Sequence, residues 1–394
     1  MLNLKLCFLS ISVKFLNFFL GLLGKNFKNV IIQNLNLSQQ NRDLEVKIFC
    51  PEYIKSDPSE KKLIERILAA YKHAKQIQEK APTVFLPSLL WQNQLEISYK
   101  SLMTFNIEEF HHFLTNFGAW QHYTGIEHCL HDIQKSSYST RNFEHSMASS
   151  ISWWLLHHSK GRDISVLTQP RFGNIAGTLI NGTFVSLGAA FNDMRAENIA
   201  SIAQISNEQC PIIAEVGGGY GKLTYAISKC LKNFKYIDFD LPETLCCATY
   251  YLMKCFPNKK FLLFGEGELS QDTISNYDFI LMPSFCIESL PTDSVDVFIN
   301  LNSLGEMSPE TTTKFVSEIT RTSKYFWHMN HEFIRNDFTP TSSSLINCEY
   351  GLPNDQFRQV VRYQDIGHAI YKGNFDLNSD IYCYVYKNNR DNRL

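Results

Sequence analysis

Residues 212–221 read Ile-Ile-Ala-Glu-Val-Gly-Gly-Gly-Tyr-Gly, and no other segment constrains the fold as much. A short apolar run, Pro211–Val216, ends in glycines, and Leu223, Ala226, Ile227, Cys230 and Leu231 then keep helical spacing. Strand, glycine turn and helix open a βαβ unit. Glycine lets the backbone turn tightly there and lets a ligand approach it closely. The chain beyond keeps the same rhythm. Tyr236–Phe239 reads as the next strand, and Leu241-Pro242-Glu243 opens a helix. Phe261–Phe264 and Phe279–Met282 are both candidates for the third core strand. Val295–Leu301, Tyr325–Met329 and Ile381–Tyr386 follow, with a helix starting at Ser308-Pro309-Glu310. Strands alternating with helices imply an α/β fold, a mostly parallel sheet covered on both faces.

At 394 residues the chain exceeds what one core usually fills, so more than one domain is expected. Residues 57–80 read as a helix. Asp57 is its cap, Pro58 fills the first turn, Glu60 closes a capping box, and Ala81-Pro82 ends it. Residues 88–160 continue in helical style. Glycines 173, 177, 182 and 187 then break the pattern, and Asn181-Gly182 marks a hairpin turn near 170–190. The expected layout is an amphipathic helix over 1–30, a mainly helical domain over 31–205 and an α/β domain over 206–394. Within residues 1–25, Asn3, Ser10, Lys14, Asn17 and Gly21 form one narrow polar stripe, and no acid precedes Asp43. The stretch suits peripheral contact with a membrane surface, a partner protein, or its own domain. Its charge and amides make it a poor membrane span, and it has no small-residue cleavage site.

The net charge of −2 gives no general pull towards nucleic acid. The 11 cysteines are scattered, mostly in apolar runs, with no C-x-x-C pair. That argues against a zinc site of ordinary spacing and for a reducing, cytoplasmic setting. The histidines between 111 and 158 include no H-E-x-x-H pair, so no metal is expected there.

The spacing of the glycine loop selects among nucleotide ligands. A dinucleotide fingerprint requires G-x-G-x-x-G, but from Gly217 the sixth place is Lys222. A P-loop requires Lys-Ser or Lys-Thr, but Lys222 precedes Leu223. An acid about 20 residues on should accept bonds from ribose hydroxyls. Asp238 and Asp240 both qualify, and Asp240 is preferred because it ends the strand. The pattern E-x-G-x-G-x-G resembles motif I of the Rossmann-like methyltransferases. More narrowly, Glu215–Gly221 (EVGGGYG), Asp240–Thr244 with its tail (DLPETLCCATYYL) and Phe298–Met307 (FINLNSLGEM) resemble the sugar O-methyltransferases of bacterial surface glycans.

That resemblance implies a class I methyltransferase fold with a seven-stranded sheet, S-adenosylmethionine as cofactor and a sugar or glycan acceptor. It implies cofactor contacts from Glu215, Gly217, Gly219, Gly221 and Asp240, with Ser284 and Phe285 bordering the adenine. It places Asn302, Ser303 and Glu306 beside the methyl group. A sugar hydroxyl is a poor nucleophile at neutral pH, so a positioned base would help. His331 and Glu306 follow strand ends and are the candidates, while Asn302 and Asn330 could orient sugar hydroxyls. Rival readings are a small-molecule or lipid methyltransferase and a non-catalytic scaffold of the same fold.

Overall fold

The computed structural model describes residues 44–49, 51–119, 137–206, 209–353, 355–365 and 380–389. The expected helix over 1–30 lies outside them.

The sheet has eight strands, in the order β12 (Phe357–Gln364), β13 (Ile381–Asn388), β9 (Ser323–His331), β8 (Val295–Leu301), β4 (Ile212–Val216), β5 (Lys235–Asp240), β7 (Phe279–Pro283), β6 (Phe261–Leu263). Strands β6, β7, β5, β4, β8 and β9 run parallel, and β13 is antiparallel to both its neighbours. This is the doubly wound, Rossmann-like α/β fold expected from sequence, and its order resembles that of the class I methyltransferases. The expected count of seven strands is one short. Phe279–Pro283 pairs with β5 and is the third core strand, and Phe261–Leu263 is added outside it as an extra edge. Between β7 and β8 the chain crosses to the other side of β4. The crevice between the ends of β4 and β8 is therefore the topological switch point, where open α/β sheets bind ligands.

The period-two alternation of these strands splits the core. Ile213, Tyr236, Val297, Ile299 and Trp327 point to one face. Ala214, Ile237, Phe298 and Phe326 point to the other, against Phe315 and Ile319 of α10 (Pro309–Thr322). The first face is covered by α6 (Ala189–Ile205), α7 (Lys222–Cys230) and α8 (Pro242–Cys255), and α1 (Lys61–Gln78), α2 (Leu89–Ser98), α3 (Lys100–Met103) and α4 (Ile107–Asn116) add to the same core. Burial of one such large side chain stabilises the fold by about 1.5–3 kcal/mol. The segments are also pinned by ions: Arg66 donates to Glu266 at 2.6 and 2.8 Å, and Lys75 pairs with the fully buried Glu243 at 2.8 Å.

Asp57 caps as expected, accepting from the Ser59 amide at 2.9 Å, with Pro58 beginning a short 3-10 turn before α1. Glu60 closes no capping box. Its carboxylate is taken instead by Lys254, by the Tyr250 hydroxyl at 2.9 Å and by His111 at 3.3 Å. The hairpin is present as β2 (Gly177–Ile180) and β3 (Thr183–Val185), with positive φ at both Asn181 and Gly182. A third strand that sequence reading missed, β1 (Val46–Phe49), pairs with β2. α5 (Ser137–His157) and α9 (Gln271–Asn276) complete the helices among the described residues, with a small ladder of β10 (Asp337–Thr339) and β11 (Ser342–Ser343) after β9.

Candidate active site

Eight of the residues expected from sequence line one cavity of about 380 Å³ at the carboxyl ends of the strands: Glu215, Gly217, Gly219, Asp240, Ser284, Asn302, Ser303 and Glu306. A volume of this order suits one nucleoside-sized ligand.

The glycine loop requires its glycines for two different reasons. A Cβ at Gly217 would lie 2.4 Å from Ser303 Oγ, so this glycine lets the β8 turn close onto the loop. Gly219 has φ +61 and a Cβ there would meet nothing within 4 Å. It bares its backbone to the cavity in the left-handed region, which side chains other than glycine rarely adopt. Gly221 is not a lining residue. It starts α7 at φ +89, and its Cβ would strike Leu252 at 2.8 Å, so it serves packing rather than the cofactor contact expected of it.

Three carboxylates, Glu215, Asp238 and Asp240, gather at or beneath this floor. Asp240 accepts from the amides of Gly219 at 3.1 Å and Leu241 at 2.7 Å and faces the cavity. Asp238 lies fully buried under the loop and accepts from the Gly218 amide at 3.2 Å. Of the two acids weighed from sequence, Asp240 is thus the one open to a ligand. Burial pushes Asp240 up to about 7, against the pull of its two amides, and the charges of Glu306 and Glu243 add to the rise. Burial pushes Glu215 up to about 8, although the Tyr236 hydroxyl donates to it at 2.5 Å, and Asp240 adds to the rise. Asp238 is held well above the usual carboxylate range by burial and by its acidic neighbours. Acids crowded in this way are suited to a ligand bringing positive charge or hydroxyl donors.

The turn after β8 is fixed from below. Asn300 donates to the Val216 carbonyl at 2.9 Å and to Ser303 Oγ at 2.5 Å. Asn330 donates to Asn300 Oδ1 at 2.9 Å and accepts from the Gly305 amide at 3.2 Å. Asn330 is therefore a buried brace for the turn and is not among the lining residues, contrary to the sugar contact expected of it. Phe285 also lies outside the lining and packs edge-on against Phe264, with ring centroids 5.5 Å apart, so only Ser284 of that pair reaches the cavity.

His331 ends β9 beside the cavity rather than in its lining. Its Nδ1 lies 2.6 Å from Asp380, which is buried and also accepts from the amides of Phe333 at 2.7 Å and Ile334 at 3.1 Å. The ring sits where a side chain at position 305 would go, since a Cβ on Gly305 would lie 3.2 Å from its Cδ2. This packs the imidazole against the turn that carries Glu306. Glu306 in turn accepts from Trp91 Nε1 at 2.8 Å.

Trp91 belongs to a cover that sequence reading missed. Phe85, Leu86, Pro87, Ser88 and Trp91 all line the cavity. Gly188, Asn192 and Arg195 of the α6 region and Lys222 of α7 form another stretch of wall that sequence reading missed. The spacing of Gly188, Asn192 and Arg195 at i, i+4 and i+7 was a local signal that could have placed them on one face. Among the described residues, His158, Asp193 and Glu197 are grouped closely enough to hold a metal ion. Arg162 already lies 2.8 Å from Asp193 and 3.1 Å from Glu197, and Lys160 lies 2.8 Å from Glu197, so the protein's own cations neutralise the two carboxylates.

Residues 191–297 match a family model described as an O-methyltransferase domain. The matched stretch carries the Asn192–Arg195 wall, the glycine loop and Asp240. No curated protein matches the chain. Among solved structures, the chain is similar to a mitomycin 7-O-methyltransferase, at 11% identity over 67% of this chain and 72% of that one, with a TM-score of 0.34. It is also similar to a SAM-dependent methyltransferase from Aquifex aeolicus, at 16% identity over 49% of this chain and 92% of that one, with a TM-score of 0.30.

Proposed function

We propose that this chain is an S-adenosylmethionine-dependent O-methyltransferase acting on a sugar hydroxyl in the biosynthesis of a surface glycan or polysaccharide. One observation carries the reading: Gly219 bares its backbone to a nucleoside-sized cavity whose floor is Asp240 and Glu215. The residues fit the cofactor. Asp240 can accept from ribose hydroxyls, and Glu215 from a positively charged amino-acid end. Ser284 borders the nucleoside, and Asn302, Ser303 and Glu306 border the methyl. When bound, S-adenosylmethionine supplies an already activated methyl group, and the chain's own task is to position and deprotonate the acceptor oxygen. His331 is the base. Asp380 takes its Nδ1, which leaves Nε2 as the nitrogen to accept the proton of an acceptor brought to the edge of the cavity. Glu306, fixed by Trp91, orients the acceptor or the imidazole.

The sugar acceptor rests on the DLPETLCCATYYL and FINLNSLGEM stretches, which resemble sugar O-methyltransferases. Among the described residues no helix is long and apolar enough to cross a membrane. We assign the chain to the cytoplasm, with residues 1–25 touching a membrane surface or a partner. The test is transfer of a labelled methyl group to a panel of free and nucleotide-linked sugars, with lipids and phenols as comparison acceptors. Transfer to phenols or lipids alone would replace the sugar reading. Absence of binding to S-adenosylhomocysteine would remove the methyltransferase reading itself.

A further inference from the structure

Both signs of charge line the cavity: the acids Glu215, Asp240 and Glu306, and the cations Arg195 and Lys222. Gly188, Asn192 and Arg195 present one face of α6 to the cavity. Lys222 begins α7 directly after the glycine loop, and its Nζ donates to the Leu187 carbonyl at 2.9 Å. Its ammonium therefore sits at the start of α6, on the same wall as Asn192 and Arg195.

Arg195 is an enclosed cation with donors to spare. Its side chain is 13% exposed. One terminal nitrogen donates to Asp365 at 2.8 Å and the other to Asn192 Oδ1 at 3.2 Å. Its Nε is buried and has no partner. The cavity-lining part of the guanidinium is therefore its terminal nitrogens, where a second acceptor can join Asp365 and Asn192.

We infer that Arg195 and Lys222 form a carboxylate-binding corner, which takes the acidic group of a ligand whose other end lies against Glu215 and Asp240. This rests on the function proposed above and names how that site fixes one end of its ligand. Two sources could supply the carboxylate: the amino-acid end of the cofactor, or an acidic acceptor such as a uronic acid. Lys222 directly follows the glycine loop, which favours the cofactor. The corner then sets the direction in which the methyl-bearing sulfur faces the acceptor.

The test is calorimetry on the full-length protein with two ligands that share one nucleoside. S-adenosylhomocysteine carries the amino-acid end, and 5′-methylthioadenosine lacks it. Arg195→Met should weaken S-adenosylhomocysteine by about 10–100-fold, in line with loss of a charged hydrogen bond, and leave methylthioadenosine within about twofold. Asp365→Asn keeps the cation and breaks only its ion pair, so it should preserve the preference for S-adenosylhomocysteine. Melting curves check that both variants fold. If Arg195→Met leaves S-adenosylhomocysteine unaffected, saturation-transfer NMR on the loaded protein compares glucuronate with glucose. Loss of a glucuronate signal in Arg195→Met would assign the corner to an acidic acceptor. Equal weakening of both nucleosides, or no effect on either nucleoside or on glucuronate, overturns the inference. A wild-type protein that binds neither nucleoside overturns the proposed function beneath it.

Discussion

Replacing Asp240 with Asn gives the sharpest test of the cofactor site, because its effect depends on pH. An ordinary aspartate is ionised throughout the neutral range, so binding to it would show no pH dependence there. Asp240 is pushed up to about 7, chiefly by burial. Near pH 6 only about one site in ten would then carry the charge, and near pH 8 about nine in ten would. A ligand whose hydroxyls donate to the carboxylate should bind about tenfold more tightly near pH 8 than near pH 6, with release of a proton at the lower end. Glu215, pushed up to about 8, steepens the rise if its charge is also used.

Asp240→Asn keeps the shape and removes the charge, but Gly219 donates to one carboxylate oxygen and Leu241 to the other, so one of these two amides loses its acceptor. Loss of a hydrogen bond to a charged group is worth about 1.5–3 kcal/mol, so affinity near pH 8 should fall by about 10–100-fold. Any pH dependence left in the variant would belong to Glu215. The stability effect has the opposite sign. A carboxylate raised in the folded state above its unfolded value destabilises the folded protein as pH rises from the ordinary carboxyl range towards about 7. The lost amide bond lowers the variant's stability at every pH, so the expected sign is in the trend: the variant's melting temperature should gain on the wild type's as pH rises from about 6 to 8. The assay is titration calorimetry of S-adenosylhomocysteine in two buffers of different ionisation heat, with melting curves alongside. A variant that binds within about twofold of wild type near pH 8, or a wild type whose affinity is flat from about pH 6 to 8, would refute the role of Asp240.

Gly219→Ala puts a side chain at φ +61, so it should lower stability by about 1–2 kcal/mol and weaken cofactor binding, read by melting and calorimetry. A fully active, equally stable variant would show that the loop does not lie against the ligand. His331→Ala should lower turnover by about 10²–10⁴ with cofactor affinity unchanged, and Asp380→Asn should lower it less. In the double variant the losses should fall short of multiplying, and full multiplication in single-turnover rates would separate the two residues. Deleting residues 1–25 should leave cofactor binding intact and reduce sedimentation with anionic vesicles. Full-length protein that never sediments would leave a partner or the chain's own domain as the target of that stretch.

What was legible in the sequence follows the range of the forces involved. The parallel core was readable because strands buried on both faces are short apolar runs, as in Val295–Leu301. Gly219 and Asp240 were readable because a tight turn and a strand-end acid leave local marks. β12 was missed because Phe357–Gln364 exposes most of its residues on both faces, with Phe357 its one fully buried residue, and is held by backbone pairing to β13 rather than by an alternating pattern. Asn330 was misassigned for a related reason. Its position at a strand end was visible, but its bonds to Asn300 and Gly305 depend on two strands meeting. Trp91 lies 215 positions from Glu306, so nothing local could announce their hydrogen bond.

The same reasoning bears on how the chain is divided. A boundary near residue 205 follows the change from helical to alternating pattern, and it assigns the glycine loop, Asp240, Glu306 and His331 to one part. The cavity does not respect that boundary. Its cover, Phe85 to Trp91, and its basic wall, Gly188 to Arg195, come from the part before it. Tyr71, Phe110 and Ile199 share one core with Tyr236 and Trp327. The α/β part supplies the acids and the baring of Gly219. The preceding part excludes water over them, and low water content is what raises Glu215 and Asp240 above the ordinary carboxyl range. The pH dependence expected of Asp240 is thus a property of both parts together, and loss of the cover would return that acid towards its ordinary value.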